Sequence, residues 1–131
     1  MTSKRILIID DENDIREATQ MCLEITSSWE VLTASSGQEG IAKAIAQKPD
    51  AILLDIMMPG MDGLTTFQHL RNHPETQTIP VILLTAKAQT TEQRQFSQLN
   101  VTAVITKPYD PFLLSHQVAQ ALQIETSPVL S

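Results

Sequence analysis

Asp10 with Asp11, Asp55, Thr85 and Lys107 each close a short apolar run, and all are side chains suited to phosphate or to a hard metal ion. Any one of them alone is what a strand leaves behind on reaching water. Together they describe one chemistry. Three carboxylates gathered at one place repel one another unless a cation lies among them, and hard oxygen donors suit magnesium, with manganese as the alternative ion. Magnesium takes few protein ligands and keeps several waters, which leaves coordination positions for a phosphoryl oxygen. A carboxylate is a competent covalent nucleophile toward a phosphoryl donor, forming an acyl phosphate. Thr85 offers a hydroxyl to a phosphoryl oxygen, and Lys107 a mobile point charge that can pair with a carboxylate or with the phosphoryl group. Because phosphoryl transfer rests chiefly on positioning and charge stabilisation, little further machinery is required.

That chemistry needs all of these groups at one edge, and the sequence between them is organised to place them there. Lys4 to Ile9 is a continuous apolar run of the kind that forms a strand covered on both faces. Trp29 to Ala34, Ala51 to Leu54, Pro80 to Leu84 and Thr102 to Ile105 are four further strands. Between the first two, Ile15, Ala18, Cys22 and Ile25 recur at helical intervals, which predicts a helix over Asn13 to Thr26 with that face packed on the sheet. Ser36 and Glu39 have capping-box spacing and start a second helix, with Ile41, Ala44 and Ile45 on its apolar face and Pro49 closing it. Leu64, Phe67 and Leu70 mark a third helix. Residues 89 to 99 read as a weakly anchored fourth, holding only Phe96 and Leu99. Asp110 and Pro111 are a good cap and first position for a fifth, whose buried face is Leu114, Val118, Ala121 and Leu122. Strands alternating with helices predict an α/β sandwich with a parallel sheet and right-handed crossovers, its ligand site outside the carboxyl ends of the strands.

The whole chain sets the outer bounds. At 131 residues, 42% hydrophobic and 18% charged, it suits one globular domain. Its apolar runs are far shorter than the roughly 20 residues of a membrane span. The N-terminus enters a strand-like run without a secretory pattern, so the expectation is a cytoplasmic protein with no membrane contact. Cys22 is the lone cysteine, which excludes an intramolecular disulfide and suits a small core residue. A net charge of -6 with scattered basic residues argues against direct nucleic-acid binding. Residues 1–124 form the expected domain, and 125–131, aperiodic and holding Pro128, a flexible tail or linker stump.

With those residues in place, the chain resembles a response-regulator receiver domain, the phosphorylated half of bacterial two-component signalling. Ile8 to Glu12 (IIDDE), Leu53 to Gly63 (LLDIMMPGMDG), Leu84 to Ala86 (LTA) and Ile105 to Pro108 (ITKP) match that family's motifs in order and spacing, over residues 4 to 124. The resemblance implies a flavodoxin-like three-layer sandwich, with five parallel strands in the order 2-1-3-4-5 and five helices. It implies that Asp55 accepts a phosphoryl group from a sensor histidine kinase or histidine phosphotransfer protein and then signals to a downstream protein. Asp11, Asp55 and the backbone carbonyl of Met57 would hold magnesium directly, and Asp10 through a coordinated water. Thr85 and Lys107 match the family's switch hydroxyl and lysine, and Gly63 its tight turn before the third helix. The domain is expected to act as a monomer or weak homodimer and not as a turnover enzyme. Val104 stands where many members carry Tyr or Phe, so the resemblance does not extend to an aromatic switch. Met57 and Lys87 flank the site by position and are candidates for setting phosphate lifetime.

Three other readings share part of this pattern. An aspartyl phosphohydrolase of the haloacid-dehalogenase type needs a second Asp two residues after the nucleophile, where this chain has Met57. A flavodoxin-like electron carrier needs a Ser/Thr/Gly-rich phosphate loop after the first strand, and Trp29 with Tyr109 is thin material for holding a flavin. A degenerate receiver that binds partners without phosphorylation is opposed by the intact residue set.

Overall fold

The computed structural model describes residues 4–56, 63–85, 101–106 and 109–122. Five strands, β1 (Arg5–Ile9), β2 (Glu30–Ala34), β3 (Ala51–Asp55), β4 (Val81–Thr85) and β5 (Ala103–Thr106), form one parallel sheet in the order β2-β1-β3-β4-β5. Four helices are present among the described residues: α1 (Asn13–Thr26), α2 (Gly37–Gln47), α3 (Gly63–Asn72) and α4 (Pro111–Leu122). The helix expected over 89 to 99 and the tail from 125 lie outside the described residues. The architecture is flavodoxin-like, with the expected strand order.

Alternation along the strands builds two cores. Leu7, Ile9, Ile52, Leu54 and Leu83 pack with Ala44 of α2 and Phe67 and Leu70 of α3. Ile6, Ile8, Leu53, Ile82 and Leu84 pack on the opposite face with Leu23 of α1 and Leu114 and Val118 of α4. Of the twelve largest fully buried side chains, ten belong to β1, β3 and β4. At about 1.5–3 kcal/mol per fully buried aliphatic side chain, these three strands are the most firmly held of the described elements. Their carboxyl ends are where the acids emerge.

Helix α1 corrects one expectation. Ala18 and Ile25 are exposed, Ile25 at 67%, and the buried residues are Thr19, Cys22 and Leu23. The face is rotated because α4, as well as the sheet, covers α1. Thr19 Oγ1 shares a 2.8 Å hydrogen bond with the Tyr109 hydroxyl, and Thr26 Oγ1 bonds Ser115 Oγ at 2.8 Å. Satisfied in this way, hydroxyl-bearing residues occupy positions that hydropathy alone assigns to Ala18 and Ile25.

The α2 start is capped as its spacing predicts, with one displacement. Ser36 Oγ accepts from Glu39 N at 3.1 Å, but the Glu39 carboxylate reaches past Ser36 to accept from Ser35 N at 2.7 Å and Ser35 Oγ at 2.9 Å. The Ser35 backbone N–H is the main reason that the Glu39 carboxyl is held below its ordinary value of 4.5. Helix α2 ends at Lys48, a left-handed C-cap with φ 48° just before Pro49. Ser36→Ala should lower unfolding free energy by about 1 kcal/mol in urea titrations. The Glu39 contribution is present above its unfolded pKa and is lost as pH falls through the depressed folded value. Glu39→Gln should therefore reduce the acid sensitivity of the midpoint below about pH 4.5.

Candidate phosphoacceptor site

Asp55 is the last residue of β3, delivered by the buried run Ala51 to Leu54 and itself only 1% exposed. Ile9 of β1 pairs with Leu54, so Asp10 leaves the sheet beside Asp55, and Asp10 is fully buried. The crevice between β1 and β3 is the point where strand order reverses, β2 lying to one side of β1 and β3 to the other. Carboxylate oxygens of Asp10, Asp11 and Asp55 all lie within 4.8 Å of one another. Thr85 ends β4, the next strand, and is 4% exposed. Lys107 and Met57 lie outside the described residues.

The backbone around these groups is tightly fixed. The β3–β4 ladder continues one residue past Asp55, with Ile56 N donating to Leu84 O at 3.0 Å. Asp10 N donates to Ala34 O at 3.1 Å, and Asp10 Oδ1 accepts from Glu12 N at 2.9 Å. Arg16, from the first turn of α1, donates through Nη1 to Asp10 O at 2.8 Å and through Nη2 to Asn13 Oδ1 at 2.6 Å. Nothing in the sequence pattern singled out Arg16. Its only signal was a basic side chain one helical turn beyond an acidic run.

Gly63 is needed for a reason different from the one expected. It does not occupy a left-handed backbone conformation. Its N–H bonds Ile56 O at 3.0 Å, and a Cβ there would press on the Ile56 Cα and come within 2.6 Å of the Asp55 carbonyl oxygen. The start of α3 thus lies directly against the backbone of the candidate acceptor. At Gly40, by contrast, an added Cβ would meet the outer carbons of the Ile9 side chain, not a backbone.

These oxygens fit a small hard cation. Octahedral ligands 2.0–2.1 Å from magnesium are separated by about 2.9 Å when adjacent and about 4.1 Å when opposite, within the spread that the three carboxylates show. Asp11 Oδ1 is buried and meets no hydrogen-bond donor among the described residues, as a ligand atom aimed at an ion would be. The same geometry disfavours a flavin. Trp29 is a core residue just ahead of β2, and Tyr109 follows β5 at the opposite end of the sheet.

A parallel α/β sheet in this order, with three converging acids that could hold a metal ion at its switch point and a hydroxyl ending the neighbouring strand, defines a domain of the chemotaxis-regulator type. The chain belongs to the response regulator receiver domain family, whose model matches residues 6–119. It is 40% identical over 111 residues to the phosphate regulon transcriptional regulatory protein PhoB of Pseudomonas aeruginosa, covering 85% of this chain and 48% of that protein. It is 36% identical over 121 residues to the alkaline phosphatase synthesis transcriptional regulatory protein PhoP of Bacillus subtilis, covering 92% of this chain and 49% of that protein. The chain thus spans about half the length of these curated relatives. Among solved structures, chemotaxis response regulator CheY4 of Vibrio cholerae superposes with a TM-score of 0.84 at 27% identity, covering 92% of this chain and 99% of that one.

Gly63→Ala should force α3 away from β3, costing roughly 1–3 kcal/mol in denaturant titrations. It should also slow modification of Asp55 by acetyl phosphate. A fully stable Gly63→Ala with unchanged modification would remove the close approach as a requirement of the site.

Proposed function

We propose that this domain is the phosphoacceptor of a two-component system, taking a phosphoryl group on Asp55 from a phosphohistidine of a sensor kinase or phosphotransfer protein and then signalling through a protein partner. The convergence of buried Asp55 with Asp10 and Asp11, their oxygens within 4.8 Å, carries this reading. Asp10, Asp11, Asp55 and the Met57 carbonyl are the groups that would hold magnesium, or manganese, which when bound neutralises charge on the acids and on the incoming phosphoryl group. A carboxylate oxygen of Asp55 attacks phosphorus; the new P–O bond forms as the P–N bond breaks, and the departing imidazole keeps the electron pair. Thr85 donates its hydroxyl to a phosphoryl oxygen, and Lys107 offsets the charge of another.

The domain acts as an acceptor, and not as an enzyme with sustained turnover, in keeping with the lack of an acid two residues beyond Asp55. It works in the cytoplasm as a monomer or weak homodimer. Among the described residues no helix is long and apolar enough to cross a membrane. The charge of -6 is the wrong sign for gripping a phosphate backbone, which supports readout by this domain through protein contact.

Incubation with acetyl phosphate and magnesium should add one phosphoryl group by intact mass, and Asp55→Asn or chelation of the metal should abolish the addition. An unmodified wild-type protein would sink this reading in favour of a phosphorylation-independent binding module. Continuing hydrolysis of phosphate esters would favour a phosphohydrolase.

A further inference from the structure

We infer that Arg16 is a positioning residue for the metal-binding acids, fixing the Asp10–Asp11 peptide so that the Asp11 carboxylate faces Asp55; this rests on the magnesium site of the proposed function. The hydrogen bonds that hold Asp10 include its N–H to Ala34 O, its Oδ1 from Glu12 N and its carbonyl from Arg16 Nη1. The first two belong to the sheet edge and to the turn itself. The third comes from a side chain, and it holds the carbonyl of the same peptide unit that carries the Asp11 N–H. Pinning that oxygen sets the plane of the peptide, and with it the direction in which the Asp11 side chain leaves the backbone.

Among the described residues, no side chain or backbone N–H meets Asp11 Oδ1, so the orientation of its peptide matters to where that oxygen points. Asp11 Oδ1 is buried, and the carboxylate lies within reach of Asp10 and Asp55. The guanidinium is suited to the task. Its planar fork spans from Asp10 O to Asn13 Oδ1, joining the end of β1 to the first turn of α1. The Glu12 side chain does not cap that turn, so Arg16 adds to the support that Asp10 Oδ1 gives the helix start through Glu12 N.

Positioning and charge predict opposite signs, which makes the role measurable without phosphorylation. Removing a cation near three carboxylates should tighten magnesium binding if charge were all that Arg16 contributed. Loss of a positioning partner should weaken it, by about tenfold for a group supporting a metal ligand. The test is titration of the full chain with magnesium by calorimetry, or with manganese by loss of the free-ion paramagnetic signal, alongside a thermal melt of each protein. Arg16→Ala should remain folded and bind the ion about tenfold more weakly. Arg16→Lys, which keeps the charge and a single donor, should recover part of that loss. Unchanged or tighter binding by Arg16→Ala would overturn the inference. Should Arg16→Ala not fold, Arg16→Lys decides alone: weaker binding than wild type supports positioning, and equal binding overturns it. A wild-type protein that binds neither ion would instead fail the proposed function itself.

Discussion

Three carboxylates with oxygens within 4.8 Å of one another are the arrangement around which the molecule is organised. At an effective dielectric of about 20, each ionised pair at such a distance repels by roughly 3–4 kcal/mol. A domain whose total stability is on the order of 5–15 kcal/mol does not hold such a cluster together for nothing. The rest of the fold offsets that cost. Apolar strands deliver two of the acids, hydrogen bonds from Glu12 N and Arg16 to Asp10 fix the turn that carries the third, and the geometry suits a small divalent ion.

The central strands supply the rigidity. β1, β3 and β4 are buried on both faces, and their ladders run to the residues that matter: Asp10 is held by β2, and the residue after Asp55 by β4. Helix α3 closes on Asp55 so tightly that only a residue without a side chain fits at Gly63. Small displacements of Asp55 are therefore felt directly by the neighbouring strand and helix, since packed interiors transmit strain and do not absorb it. A phosphoryl group added at Asp55 would be introduced into a region with little slack.

The other side of the molecule is joined differently. Helices α1 and α4 pack through the second core, but two hydroxyl pairs also hold α1 there, Thr26 with Ser115 of α4 and Thr19 with Tyr109, two residues ahead of α4. Such bonds specify an axial register that apolar packing leaves looser. Tyr109 follows two residues after Lys107, so this link ties α1 to the stretch of chain that carries the candidate lysine. Val104, on the edge strand β5, is 38% exposed, so the position where related domains often place an aromatic ring holds a small, partly solvated side chain.

By itself the sequence determined the strands, their order through the family motifs, and the identity of the acids. Continuous apolar runs ending in Asp10, Asp55 and Thr85 can serve few other purposes, and their periodicity is local information. It also placed the Ser36 cap, because a cap is a contact between near neighbours. What it did not contain was decided by contacts between distant segments. The inward face of α1 turns to Thr19 and the half-buried Thr26 because Tyr109 and Ser115, just ahead of α4 and within it, supply hydroxyl partners some 90 residues away. Gly63 is required by the backbone of β3 and not by its own torsion angles. Arg16, an ordinary helix residue in one dimension, meets the Asp10 carbonyl only once β1 and α1 are folded together. Residue types named the chemistry, and tertiary packing chose which neighbours hold it in place.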